Sequence, residues 1–306
     1  MCRSCESTAP RSSLTPRTPA LTRARRRGLA TAAIAVLTAL AASVLLASSA
    51  LLAPAAVAAT TAPESGPPEI VGGQPAVRGE FPYQVGLLDG AEPDSYWAQF
   101  CGGSLVGRST VLTAAHCVED VAPGELDVLV RTIRLNNSGV RKPVARIIRH
   151  PLYNSRTSAY DVAIIKLRTP VANFSDGLAR IIPVVAPSQA ALWAPGASAT
   201  ATGWGLTSDG GEGSTRLRKV SVPIVSDTAC RGAYGSEMIS SVMVCAGQAG
   251  RDSCEGDSGG PLAVRNGAGW VQVGVVSWGE GCGEPGFPGV YSEVAAVRPW
   301  ILANTT

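Results

Sequence analysis

Few side chains in this sequence could move a proton near neutral pH. Only two histidines occur among its 306 residues, His116 and His150, and imidazole is the side chain whose ordinary pKa falls in that range. His116 sits in Thr113-Ala114-Ala115-His116-Cys117, at the end of an apolar run and beside a cysteine. A lone histidine in such a place serves structure more often than chemistry. Ser258 lies in Gly256-Asp257-Ser258-Gly259-Gly260. Flanking glycines let backbone N–H groups turn toward a single point, as stabilising a developing oxyanion requires. Taken alone, the same five residues also fit a tight turn, and Asp252 reads by itself as one more polar loop residue.

The elements that must position these residues are short. Ser104 to Ala115, Asp161 to Leu167 and Trp270 to Trp278 are rich in Val, Ile and Trp and are bounded by Gly, Pro or Asp. Many short strands punctuated by turns imply an antiparallel barrel or sandwich. Helical pattern is scarce: Ser226-Asp227 can cap a helix over Thr228 to Tyr234, and a second helix is expected over Val294 to Ala303. The Pro-rich stretch from Pro183 to Pro195 is the expected boundary between two halves. There is no internal repeat, heptad or nucleotide-binding glycine motif.

Composition excludes disorder, because 45% of the residues are hydrophobic and 16% charged, enough apolar surface to build a core. The net charge of +3 suggests a polyanion partner until its location is considered. Seven arginines and three glutamates precede Ile70, so residues 70–306 carry 19 basic and 20 acidic side chains and a net charge of −1. No nucleic-acid partner is expected.

The leader explains the excess. Arg25 to Gly28 precede an uncharged Ala/Leu/Val run over residues 29–53, followed by the small residues 55–59. That order implies a secretory signal peptide over residues 1–59 and a secreted, extracellular product. The adjacent arginines leave Sec and twin-arginine export both open, and residues 29–53 are long enough to serve as an uncleaved membrane tether instead. Residues 60–69 (TTAPESGPPE) read as a propeptide.

Cys2 and Cys5 fall in the leader. Cys101, Cys117, Cys230, Cys245, Cys254 and Cys282 remain, an even number that in an exported chain implies disulfides whose pairing the sequence leaves open. No pair has the spacing of a zinc site, so no metal is expected there.

In combination the motifs say more than they do singly. IVGG at 70–73, TAAHC at 113–117, DVAIIKL at 161–167, CEGDSGGPL at 254–262 and SWG at 277–279 occur in the order of the chymotrypsin/trypsin family of serine proteases. Residues 70–306 resemble that family essentially throughout, and most closely its secreted actinobacterial members. The resemblance implies an all-β fold of two six-stranded antiparallel Greek-key barrels, approximately residues 70–185 and 186–306, with a short C-terminal helix. It implies a nucleophile at Ser258, a general base at His116, a buried carboxylate at Asp161 and an oxyanion hole from the N–H groups of Gly256 and Ser258. Asp252 would form the floor of the primary pocket, with Ser277, Gly279 and Gly289 along its walls, and would select Arg or Lys in a protein or peptide substrate. Glu255 departs from the family's common Gln and is expected to disfavour acidic residues near the scissile bond.

The same resemblance implies a zymogen cut between Glu69 and Ile70, with the new ammonium pairing to Asp257. Because Glu69 is not basic, a separate activating protease is expected. Implied disulfides are Cys101–Cys117, Cys230–Cys245 and Cys254–Cys282. His150 matches a surface-loop sequence and is given no chemistry. Asp227 and Glu293 match two carboxylates of a structural calcium site, but Met243 stands where a further carboxylate would, so structural calcium is left open and no other cofactor is expected. A monomer is expected. The competing reading is a catalytically silent binding protein on the same scaffold, against which stands the presence of all three triad residues.

Overall fold

The computed structural model describes residues 70–305. The expected signal peptide, the propeptide, and Cys2 and Cys5 lie outside the described residues.

A two-residue strand, β1 (Gln74–Pro75), precedes six strands that close into a barrel: β2 (Gln84–Asp89), β3 (Gln99–Gly107), β4 (Thr110–Thr113), β5 (Leu126–Val130), β6 (Val140–Arg149) and β7 (Ala163–Leu167). Their order is β2-β3-β4-β7-β6-β5, with β5 returning to β2 in antiparallel register. The second barrel comprises β8 (Ser198–Gly203), β9 (Arg218–Val225), β10 (Met243–Ala246), β11 (Pro261–Asn266), β12 (Gly269–Trp278) and β13 (Gly289–Glu293). It runs β9-β10-β13-β12-β11-β8 and closes where β8 pairs again with β9. Closure leaves neither barrel a free edge. Helices are few: α1 (Ser95–Ala98), α2 (Asp227–Tyr234) and α3 (Val294–Ala303). Ser226 caps α2 as its sequence suggests, its Oγ accepting the Ala229 N–H at 3.2 Å.

Two details differ from the sequence expectation. The apolar run from Ser104 to Ala115 is not one strand: Gly107 pairs with Thr110 around the polar Arg108-Ser109, making a hairpin of β3 and β4. And β1, at the beginning of the first half, pairs with β9 of the second barrel. Among the described residues no helix is long and apolar enough to cross a membrane.

The three implied disulfides are present. Cys101–Cys117 ties the turn after β4 to β3, Cys230–Cys245 ties α2 to β10, and Cys254–Cys282 joins two loops of the second barrel. Closing loops of 16, 15 and 28 residues stabilises by roughly 3 kcal/mol each through the unfolded chain's lost entropy. Between the barrels, buried polar pairs lie within an otherwise apolar seam: Thr202 Oγ1 donates to Gln84 Oε1 at 2.6 Å and Ser104 Oγ to Gln272 Oε1 at 2.7 Å. Each would be costly to leave unpaired, so together they fix how the barrels meet.

Candidate active site

His116 begins a short 3-10 turn just beyond β4, pinned by the disulfide at its neighbour Cys117. Asp161 precedes β7 and follows Tyr160, whose φ of 55° turns the chain sharply. That turn is held from outside by His150, which is buried rather than on the surface as its sequence resemblance implied. Its ring stacks on Tyr160 at 4.8 Å and meets the edge of Trp300 at 4.8 Å. Burial lowers the His150 pKa, so its role is to pack the neighbour of Asp161.

Asp161 is 1% exposed, and a carboxylate removed from water in this way must be fully hydrogen-bonded. Its Oδ1 accepts the His116 backbone N–H at 2.9 Å, while Oδ2 lies 2.7 Å from His116 Nδ1 and accepts from Ser277 Oγ at 2.6 Å. Ser292 Oγ donates to its carbonyl at 2.9 Å. With a carboxylate as partner, Nδ1 carries the imidazole proton and Nε2 keeps its lone pair. Burial pulls the His116 pKa down. The hydrogen bond and charge of Asp161, followed by the charge of Glu119, outweigh it, and the net shift is upward. Glu119 is in turn held by the Tyr153 hydroxyl at 3.3 Å.

Ser258 sits in the loop before β11, and this loop is wedged into the first barrel. The Gly102 N–H of β3 donates to the Ser258 carbonyl at 2.7 Å. A Cβ on Gly259 (φ 78°) would fall 2.2 Å from Thr113 Oγ1 and 3.0 Å from the Ala114 nitrogen, so only glycine permits this approach. The wedge brings Ser258 beside the residues leading into His116. Ser258 Oγ makes no hydrogen bond to His116 here; Nε2 instead lies 3.7 Å from Cys117 Sγ. That sulfur is in a disulfide and has no proton, so the contact leaves the Nε2 lone pair available. Cys101, His116 and Cys117 cluster closely enough to suggest metal ligands, but both sulfurs are spent in the disulfide. Among the described residues, the Gly256 and Ser258 N–H groups donate to no backbone carbonyl.

A cavity of about 470 Å³ opens from Ser258. It brings together Asp252, Glu255, Ser277, Gly279 and Gly289, as expected from the sequence, and adds Asp209 and Glu280, which no motif marked. Asp252 is 3% exposed, accepts the Ser253 N–H at 2.8 Å and is pushed up to about 7 by burial, against the pull of its hydrogen bonds. A Cβ on Gly289 would lie 2.5 Å from Asp252 Oδ1, so a side chain there would fill the slot. Asp257 is also buried. Its carboxylate accepts from the N–H groups of Gly205 at 2.8 Å and Cys254 at 3.0 Å, and burial raises its pKa to about 6.

Burial first, then the charge of Asp227, raises the Glu293 pKa. Met243, however, is buried in an apolar cluster and offers only a thioether. Calcium takes oxygen ligands, so Met243 contributes none beside Asp227 and Glu293.

The Trypsin family model matches residues 70–301. Similar proteins include a trypsin of Saccharopolyspora erythraea, 41% identical over 230 residues that cover 74% of this chain and 94% of that one. Trypsin-1 of Astacus astacus is 40% identical over 253 residues, 77% of this chain and 99% of that one. Transmembrane protease serine 9 of Rattus norvegicus is 42% identical over 252 residues, which are 79% of this chain but 22% of that protein. With two closed barrels meeting at a histidine, a buried aspartate and a serine, this chain belongs to the trypsin family and is a serine endopeptidase.

Proposed function

We propose that the protein is a secreted, zymogen-derived endopeptidase that cleaves peptide bonds after Arg or Lys through an acyl-enzyme on Ser258. The observation that carries this reading is Asp252, a buried carboxyl that lines the same cavity as Ser258 and has no cationic partner among the described residues. A substrate guanidinium or ammonium at the floor of that slot supplies the missing charge.

The chemistry then follows from the protonation of His116. Ser258 Oγ attacks the carbonyl carbon as its proton passes to Nε2. The imidazolium is stabilised by the Asp161 carboxylate, and the oxyanion by the Gly256 and Ser258 N–H groups. Collapse breaks the C–N bond, and the leaving amine takes the proton back from Nε2. Water repeats the sequence to release the acid and restore Ser258. Because the base must be neutral, activity falls on the acid side as His116 gains its proton. Removing the Glu119 charge removes one influence that raises that pKa. Glu119→Gln is expected to shift the acid limb of kcat/KM to lower pH with the alkaline side unchanged, measured on an arginyl amide. An unmoved limb would dismiss Glu119 from this role.

Glu255 is exposed at the cavity mouth. Its charge is expected to repel acidic substrate residues, worth about 1 kcal/mol at most for a solvent-screened pair. Glu255→Gln should therefore narrow the rate gap between matched acidic and neutral peptides at low salt. A gap that persists unchanged would assign the selectivity elsewhere.

Activation is supported by strain at the expected cut. Ile70 is wholly buried with φ 43° in the continuous chain, a left-handed backbone that a β-branched residue adopts only under constraint. Cleavage after Glu69 frees that torsion and creates an ammonium suited to Asp257. The carboxylate has little freedom to move away, since a Cβ on Gly203 would fall 2.0 Å from its Oδ1. N-terminal sequencing of the secreted product is expected to read Ile70-Val71-Gly72-Gly73. Purified proenzyme should remain inactive at any concentration, because the Asp252 slot does not accept Glu69. Concentration-dependent self-activation, or a mature terminus elsewhere, would contradict this.

A further inference from the structure

A second cavity, of about 520 Å³, lies among the segment before β2, the 177–183 stretch and the β11–β12 hairpin. No residue lining it lines the Asp252 cavity. Its walls are apolar at Ile181, which is 38% exposed, and at Trp270. Two guanidiniums stand over it. Arg265 lies above the Trp270 ring, 3.9 Å from its centroid, and neither Arg265 nor Arg180 has an ion-pair partner among the described residues. Glu80, the carboxylate that lines the cavity, is already paired with Lys219, so the local charge is positive.

The Tyr83 hydroxyl distinguishes this cavity from an ordinary basic crevice. Tyr83 lines it and is 2% exposed, yet its buried hydroxyl has no hydrogen-bond partner. A buried donor left unpaired is destabilising, and one retained in a fold calls for an explanation. Arg265 and Glu80, which line the cavity, both act electrostatically on this phenol. The cavity thus offers two free cations, an unused donor and apolar walls. A dianion such as phosphate would be costly to desolvate against such walls and would leave them uncovered. A monoanion with an apolar body satisfies every group.

We propose that this cavity binds a small carboxylate carrying an apolar, ring-sized body, with the carboxylate between Arg180 and Arg265, accepting from the Tyr83 hydroxyl, and the body against Ile181 and Trp270. The site is independent of the catalytic reading above. Titration calorimetry of the full chain bearing Ser258→Ala tests it, with hydrocinnamate as the probe and with hydrocinnamyl alcohol and inorganic phosphate as comparisons. Saturable one-site binding of hydrocinnamate is expected, with both comparisons much weaker. Tyr83→Phe, which removes one hydrogen bond to a charged group, should weaken it about tenfold while leaving Tm unchanged or higher. Arg180→Gln with Arg265→Gln, both on exposed side chains, should abolish binding and leave hydrolysis by the Ser258 form intact. Absence of saturable binding, undiminished binding in the double-arginine variant, or equally tight binding of phosphate or the alcohol would each overturn the proposal. If Tyr83→Phe does not fold, the double-arginine variant decides alone.

Discussion

Ser258→Ala is expected to lower kcat on an arginyl amide about a millionfold, while KM changes little. The size follows from the proposed division of labour. Without Oγ there is no acyl-enzyme, and His116 and Asp161 have no proton to relay, so their contributions disappear with the nucleophile rather than adding to it. What survives is slot binding and oxyanion stabilisation, acting on water. An organophosphate should label the parent protein at Ser258 and leave the variant unlabelled. A loss below about a hundredfold would mean that another group supplies the nucleophile, since even a single oxyanion donor is worth that much.

Asp252→Ser is expected to cost about 4 kcal/mol of transition-state binding for Arg and Lys substrates, on the order of a thousandfold in kcat/KM. Peptides with apolar residues at the cleavage position should lose little. The Asp252 carboxyl is pushed up to about 7 by burial. The folded state therefore holds that proton more tightly than the unfolded chain does. The stability it lends is present below the ordinary carboxylate range and is lost as pH rises through about 7. A bound arginine side chain reverses the preference by pairing with the charged form. Binding of a small amidine inhibitor should accordingly tighten as pH rises toward 8, and this dependence should be absent in Asp252→Ser. Unchanged turnover of arginyl substrates in the variant would remove Asp252 as the specificity residue.

Ser258 was legible in the sequence because it lies within a short contiguous motif, whereas Asp252, outside that motif, was marked only through the family resemblance. The class of antiparallel barrel or sandwich was legible in short β-branched runs between turn residues, and the two six-stranded barrels through the family resemblance. What surrounds the motifs was not. Ser277 and Ser292 reach Asp161 across 116 and 131 residues, and no local pattern announces a hydroxyl aimed at a distant carboxylate. His150 read as surface loop because its sequence resembles a surface loop of the family, whereas its burial depends on Tyr160 and on Trp300 from the far end of the chain. The hairpin at Arg108-Ser109 was hidden by a polar pair too brief to break an apolar run, and the pairing of β1 with β9 by its two-residue length.

The hydrogen bond from Gly102 to the Ser258 carbonyl has a consequence for how such an enzyme fails. The reactive loop belongs by sequence to one barrel and is seated by the other, so it serves also as the seam's fastening. Loosening between the barrels displaces Ser258 while every strand ladder remains closed. Loss of turnover under mild stress is then the signal of a parting seam, and the protein can fall silent while still, by any measure of secondary structure, fully folded.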